Sequence, residues 1–112
     1  MKYVLLIYQN PEAWEALDEE QRSAIMRDAG AIAGELSESG ELLGGHGLAH
    51  PSTGKTVKVR DGVPSVTDGP FVEAKEQLAG FGLLDCETEK RALEIAARWP
   101  DGATGRSSCG RS

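Results

Sequence analysis

Lys2 to Gln9 reads KYVLLIYQ. It is an unbroken apolar run containing the β-favouring residues Tyr, Val and Ile, the pattern of a central strand covered on both faces. Asn10-Pro11 closes it. Asn is a good N-cap and Pro a good first helical residue, so a short helix is predicted over Pro11 to Leu17. From Asp18 to Ser39 the periodicity changes to three and four residues. Ile25, Ala29, Ile32, Ala33 and Leu36 form one stripe, with Glu19, Glu20, Arg22 and Asp28 largely opposite and Gly40 as the stop. The chain thus begins strand, short helix, long helix.

Further along, Glu41 to Leu48 (ELLGGHGL) reads as a strand loosened by glycine, which points to a bulge or a close approach by another group. His50 to Gly54 is a loop. Lys55 to Arg60 (KTVKVR) alternates, Asp61-Gly62 is a hairpin-turn signal, and Val63 to Thr67 is the return strand. Leu78 to Cys86 is a further apolar strand. Thr88 to Trp99 is a helix expected to turn Ala92, Leu93, Ala96, Ala97 and Trp99 inward, with Pro100 ending it. The order predicts an α+β fold with helices on one face of a mainly antiparallel sheet. A split βαβ, ferredoxin-like plan needs one more strand after the last helix. Residues 101–112 (DGATGRSSCGRS) lack apolar periodicity, so a domain over 1–100 and a disordered tail over 101–112 are expected.

Composition narrows the function classes. Twelve Lys and Arg against eighteen Asp and Glu give a net charge of −6, which repels a nucleic-acid backbone. Aromatics at 5% are too few for a base-stacking platform. Two cysteines do not make a disulfide scaffold. No run is long enough to span a bilayer, and no leader pattern opens the chain, so a cytoplasmic protein without membrane association is expected.

Three motifs invite a chemical reading. Gly54-Lys55-Thr56 resembles the end of a phosphate loop, but Ala49 stands where the motif requires Gly, and a strand follows instead of a helix. His46 and His50 are four apart among glycines, with no third ligand nearby, so no metal site is expected. Asp68-Gly69-Pro70-Phe71, with Glu73, Lys75 and Glu76, is the densest cluster. Its structural reading is a charged turn in which Asp68 accepts backbone N–H groups, Phe71 is core, and the rest is a solvated rim. Its functional reading is a carboxylate over a cleft, with Lys75 close by and His46 from a neighbouring strand as partner in proton transfer. Cys86 ends an apolar strand and reads as a buried, inert thiol.

The opening KYVLLIY, the LLGG before the central loop, KTVKVRDG, TDGPFVEAKEQLAGF and RALEIAARWP together resemble the YCII-related, or DGPF-domain, proteins over Met1 to about Pro100. The resemblance implies a ferredoxin-like fold pairing as a dimeric α+β barrel with one cleft per subunit. It also implies a homodimer, and an enzymatic activity resting on a His–Asp pair in the cleft. Asp68 matches the aspartate of the DGPF motif, and Glu73, Lys75 and Glu76 match the charged residues after it. At the histidine position many DGPF members carry Glu or another residue. Relatives usually end in a strand, from which residues 101–112 depart.

Two functions follow as expectations. One is a cofactor-independent lyase or isomerase in which Asp68 and His46 are catalytic and Phe71, Glu73, Lys75 and Glu76 contact a small-molecule substrate. The other is a non-catalytic ligand sensor or regulatory partner of an extracytoplasmic-function sigma factor, an association the resemblance implies.

Overall fold

The computed structural model describes residues 1–69, 75–100 and 107–111. The chain runs β1 (Lys2–Gln9), α1 (Pro11–Ala16), α2 (Glu19–Ser39), β2 (Leu42–Gly47), β3 (Lys55–Arg60), β4 (Val63–Asp68), β5 (Gln77–Asp85), α3 (Glu89–Arg98) and β6 (Ser107–Arg111), with a 3₁₀ turn at Pro51–Thr53 before β3. Four strands form one sheet in the order β2-β5-β1-β6, while β3 and β4 pair only with each other. All pairings are antiparallel. β5 lies between β1 and β2, which α2 connects, so the sheet is a split βαβ arrangement of the ferredoxin-like α+β type.

Local chemistry sets the helix ends. The Asp18 carboxylate accepts from the Gln21 amide at 2.7 Å, and the Asp18 amide donates to Gln21 Oε1 at 3.0 Å, a reciprocal cap at the start of α2. Gly40 ends α2 at φ +83°, a left-handed conformation that costs glycine little. Thr88 accepts from the Arg91 amide to open α3.

Strand alternation sorts the sheet into two faces. Tyr3 and Leu5 of β1 oppose Leu84 and Gly82 of β5, and these face the helices. There Tyr3, Leu5 and Leu84 pack with Leu36 of α2, Ala92 and Ile95 of α3, and Cys86 into one buried cluster. Val4, Leu6, Phe81 and Leu83 fall on the opposite face, where Leu83 is exposed. Two ion pairs fasten the helix layer. Arg91 of α3 donates twice to the Glu41 carboxylate just before β2, at 2.7 and 3.0 Å, and Arg98 of α3 pairs with Glu35 of α2.

Two sequence expectations need correction. Leu93 and Ala97 do not turn inward on α3: both are exposed, and Ile95 is buried in their place. Ala92, Ile95 and Ala96 form the inward stripe. Leu93 and Ala97 share a neighbouring stripe at the same spacing, so apolar periodicity alone does not choose between the two. The expected disordered tail over 101–112 is corrected for residues 107–111. These form β6, in register with β1 from Tyr3↔Arg111 to Ile7↔Ser107. Ser-Ser-Cys-Gly-Arg carries no strand pattern, but main-chain hydrogen bonds to an otherwise open edge of β1 require none.

The β3–β4 hairpin turns at Asp61-Gly62, both at positive φ (51° and 76°), as a tight two-residue turn demands. Its register separates a polar face (Thr56, Lys58, Ser65, Arg60) from an apolar one (Val57, Val59, Pro64, Val66). The apolar face is uncovered: Val59 is 66% exposed and Val66 63%.

Candidate functional site

The helix layer and the sheet do not close on each other along their whole length. Near the C-terminal end of α2, Leu36 meets Tyr3, Leu5 and Leu84 and the core is tight. Toward its N-terminal half, α2 presents only Ala29 and Ala33 beside Ile25 and Met26, and the strands beneath offer Gly45, Gly47, Gly80 and Gly82. Small residues on both sides leave a cavity of about 530 Å³. That is well within the range of small-molecule sites, roughly 300–1,000 Å³.

The floor glycines are of two kinds. A Cβ on Gly45 would lie 2.3 Å from the Phe81 carbonyl oxygen, and one on Gly80 would lie 2.9 Å from that of His46. Both are dictated by the close approach of β2 and β5. A Cβ on Gly82 would instead touch Leu42 Cδ1 at 3.5 Å, an ordinary contact, and one on Gly47 would meet nothing within 4 Å. Strand packing therefore leaves room for side chains at 47 and 82.

Both tryptophans of the chain wall this space. Trp99 follows α3 and packs against the core. Trp14 sits on α1, a six-residue helix with no buried residue, so α1 is held by polar bonds. Asn10 accepts from the Ala13 amide at 3.2 Å. From α2, Arg22 Nη1 donates to the carbonyls of Trp14 (3.3 Å), Glu15 (3.3 Å) and Leu17 (2.8 Å), satisfying the last acceptors of α1. His50 Nε2 lies 3.3 Å from Glu15 Oε1. Arg22 and the Asn10 cap do not stand out as site residues in the sequence. The combination of a weak helix bearing Trp and a nearby Arg is the signal that points to them.

No Asp, Glu, Lys or Arg borders the cavity among the described residues; of the bordering residues with polar side chains, His46 turns its ring to the helix-free face of the sheet, which leaves Tyr8, Gln9 and the two indoles. Of the residues expected from sequence, His46 borders the cavity along its glycine-rich floor. The His46 ring packs against Phe81, centroids 5.9 Å apart, and Phe81 lies on the face of β5 opposite Gly80 and Gly82. Asp68 ends β4 on the projecting hairpin. It pairs with Lys55 directly across the strand, 84% exposed, and is not among the residues bordering the cavity. Lys75 and Glu76 are exposed ahead of β5. Phe71 and Glu73 lie outside the described residues. The DGPF turn is fixed at its described end by Gly69, at φ +83°. Gly69 donates to the Gly54 carbonyl at 2.8 Å and accepts from the Thr56 hydroxyl at 2.7 Å. Lys55 of the Gly54-Lys55-Thr56 run thus serves a cross-strand pair at the start of β3. His50 bonds Ser52 and faces Glu15, away from the Phe81 partner of His46. No helix among the described residues is long and apolar enough to cross a membrane.

Comparison with known proteins agrees with this architecture. The family model of the YCII-related domain matches residues 1–108. An uncharacterized protein of Rhizobium meliloti (strain 1021) is 35% identical over 96 residues, covering 86% of this chain and 77% of that protein.

Proposed function

The chain belongs to the YCII-related family, and from that premise we propose that it is a small-molecule-binding protein whose ligand occupies the cavity between α2 and the glycine-rich strands. One observation carries the reading. The cavity is lined by side chains and main chain that could have closed it, since a Cβ fits at Gly47 and Gly82. The test uses the two tryptophans in its walls. A fragment library is screened by indole emission and thermal midpoint, first on the protein and then on Ala29→Leu, which fills the space from α2. Ligands that shift both signals on the protein and neither on Ala29→Leu support the reading. Ligands unaffected by Ala29→Leu place the binding site elsewhere and contradict it.

A second reading concerns the acid–base pair, and the uncovered surfaces favour it. A two-stranded hairpin is marginal alone in water, yet this one exposes Val57, Val59, Pro64 and Val66, and the sheet exposes Leu83 on its helix-free face. We propose a homodimer in which these surfaces are covered by a second copy. His46 packs on Phe81 on that same sheet face, and Asp68 ends the hairpin, so a His–Asp proton-transfer pair is proposed between copies. Mixing His46→Ala with Asp68→Asn protein tests it once a turnover assay exists. Recovery of activity in the mixture, where one of the two sites regains both groups, supports the pair. Two inactive parents giving an inactive mixture that still forms heterodimers contradict it.

A further inference from the structure

We infer that the cavity is built for a planar, uncharged aromatic molecule of about two fused rings with one hydrogen-bonding substituent. This inference rests on the cavity being the ligand site. It follows from the shape of the floor, the chemistry of the walls and the placement of the polar groups.

The floor is main chain. Gly45 faces Gly82 and Gly47 faces Gly80 across β2 and β5, so no side chain rises at these four positions. Above these glycines the roof is α2, where Ala29 and Ala33 border the cavity beside the larger Ile25 and Met26. A gap between a bare sheet and alanines is flat, and a flat gap matches an aromatic ring better than a puckered aliphatic one of equal mass. The glycines at 47 and 82 matter most, because packing leaves room for a Cβ at both. A β-branched residue at either position would break the flat surface.

The walls extend the same preference. Trp14 and Trp99 come from separate elements, α1 and the end of α3, and both border this one space. Indoles present faces and edges to which another ring adds by offset or edge-to-face contact. The polar side chains left on the border, Tyr8 and Gln9, are few, and they can exchange hydrogen bonds with a hydroxyl or carbonyl. Among the described residues no side chain of fixed charge borders the cavity, so none of them would pair with a carboxylate or ammonium that gave up its hydration to enter.

Three probes of similar size separate the elements of the claim: 2-naphthol (planar, neutral), 2-naphthoate (planar, charged) and 2-decalol (neutral, saturated and puckered). Binding is read from the thermal midpoint for all three, and from indole emission for the aromatic pair, on the protein, on Gly82→Val and on Ala33→Leu. The expected result is that 2-naphthol binds, that the other two bind roughly tenfold or more weakly, and that both substitutions remove 2-naphthol binding. If 2-naphthoate or 2-decalol binds as well as 2-naphthol and the substitutions block it, the cavity is a ligand site but the ligand class is wrong. The ligand class is equally wrong if all three fail while library fragments bind and are blocked by Ala29→Leu. If 2-naphthol binds equally to the protein and to both folded variants, the cavity itself is not the site and both readings fall. Circular dichroism and the melting transition establish that each variant is folded; should Gly82→Val fail, Ala33→Leu and Gly47→Val carry the comparison.

Discussion

Glu41 precedes β2 and takes two hydrogen bonds from the Arg91 guanidinium. Those bonds hold its carboxyl down from 4.5 to about 2, against a smaller opposing push from burial and with help from the Ser39 hydroxyl. A carboxyl depressed in the folded state binds fewer protons than in the unfolded chain. Its contribution to stability is therefore complete above 4.5 and is lost as pH falls toward about 2. Glu41→Gln is expected to lower the thermal midpoint at neutral pH and to flatten its decline across that acid window; an unchanged slope would show that Glu41 does not set it. At the same scale, Gly45 and Gly47 stand two residues apart with opposite constraints. Gly45→Ala forces a Cβ to 2.3 Å from the Phe81 oxygen, while Gly47→Ala meets nothing. Gly45→Ala is expected to lose roughly 1–3 kcal/mol or more, the scale of overpacking. Gly47→Ala is expected to stay near neutral by urea denaturation. The sequence marks ELLGGHGL as a strand with glycines hinting at close approach. Which glycine answers to a neighbouring strand and which to empty space depends on the β2–β5 register, and no local pattern encodes it.

Among the elements, the strands and helices that bury an apolar stripe are legible in the sequence to within a residue or two. β1 spans Lys2–Gln9 as its run of Tyr, Val, Leu and Ile implies, and α2 starts at the Asp18 cap and stops at Gly40. Two elements are less legible, for different physical reasons. α3 carries two overlapping apolar stripes, and contact with the sheet selects Ala92 and Ile95 over Leu93 and Ala97. β6 is specified by the open edge of β1, with no apolar alternation of its own. The hairpin is plain from its alternation and turn, but neither reveals that the valine face is left uncovered. If a second copy covers that face, Val57→Ser with Val66→Ser should leave the chain folded and shift it from dimer to monomer in sedimentation velocity. A monomeric parent, or a dimer indifferent to the double substitution, contradicts that proposal. Within the helix layer, Leu36→Ala removes a fully buried side chain facing Tyr3 and Leu84 and should cost roughly 2–5 kcal/mol in urea denaturation.

For the molecule as a whole, the core is uneven because its side chains are. Leucine, tyrosine and isoleucine fill one half of the helix–sheet interface; alanine and glycine leave the other half open between two tryptophans. Asp68 and its charged neighbours stand out in the sequence, because charge density and a rigid turn are visible along a chain. The cavity does not, because its signal is an absence of side chains on three elements that only the fold brings together. The decisive measurement follows the backbone amides by two-dimensional NMR as the most stabilising library fragment is added. Ligand occupancy of the cavity predicts perturbations centred on Gly45, Gly47, Gly80 and Gly82 and on α2 between Ile25 and Ala33. Perturbations centred on the β3–β4 hairpin or on the exposed side of α3 around Leu93, with the glycine resonances unmoved, would contradict it.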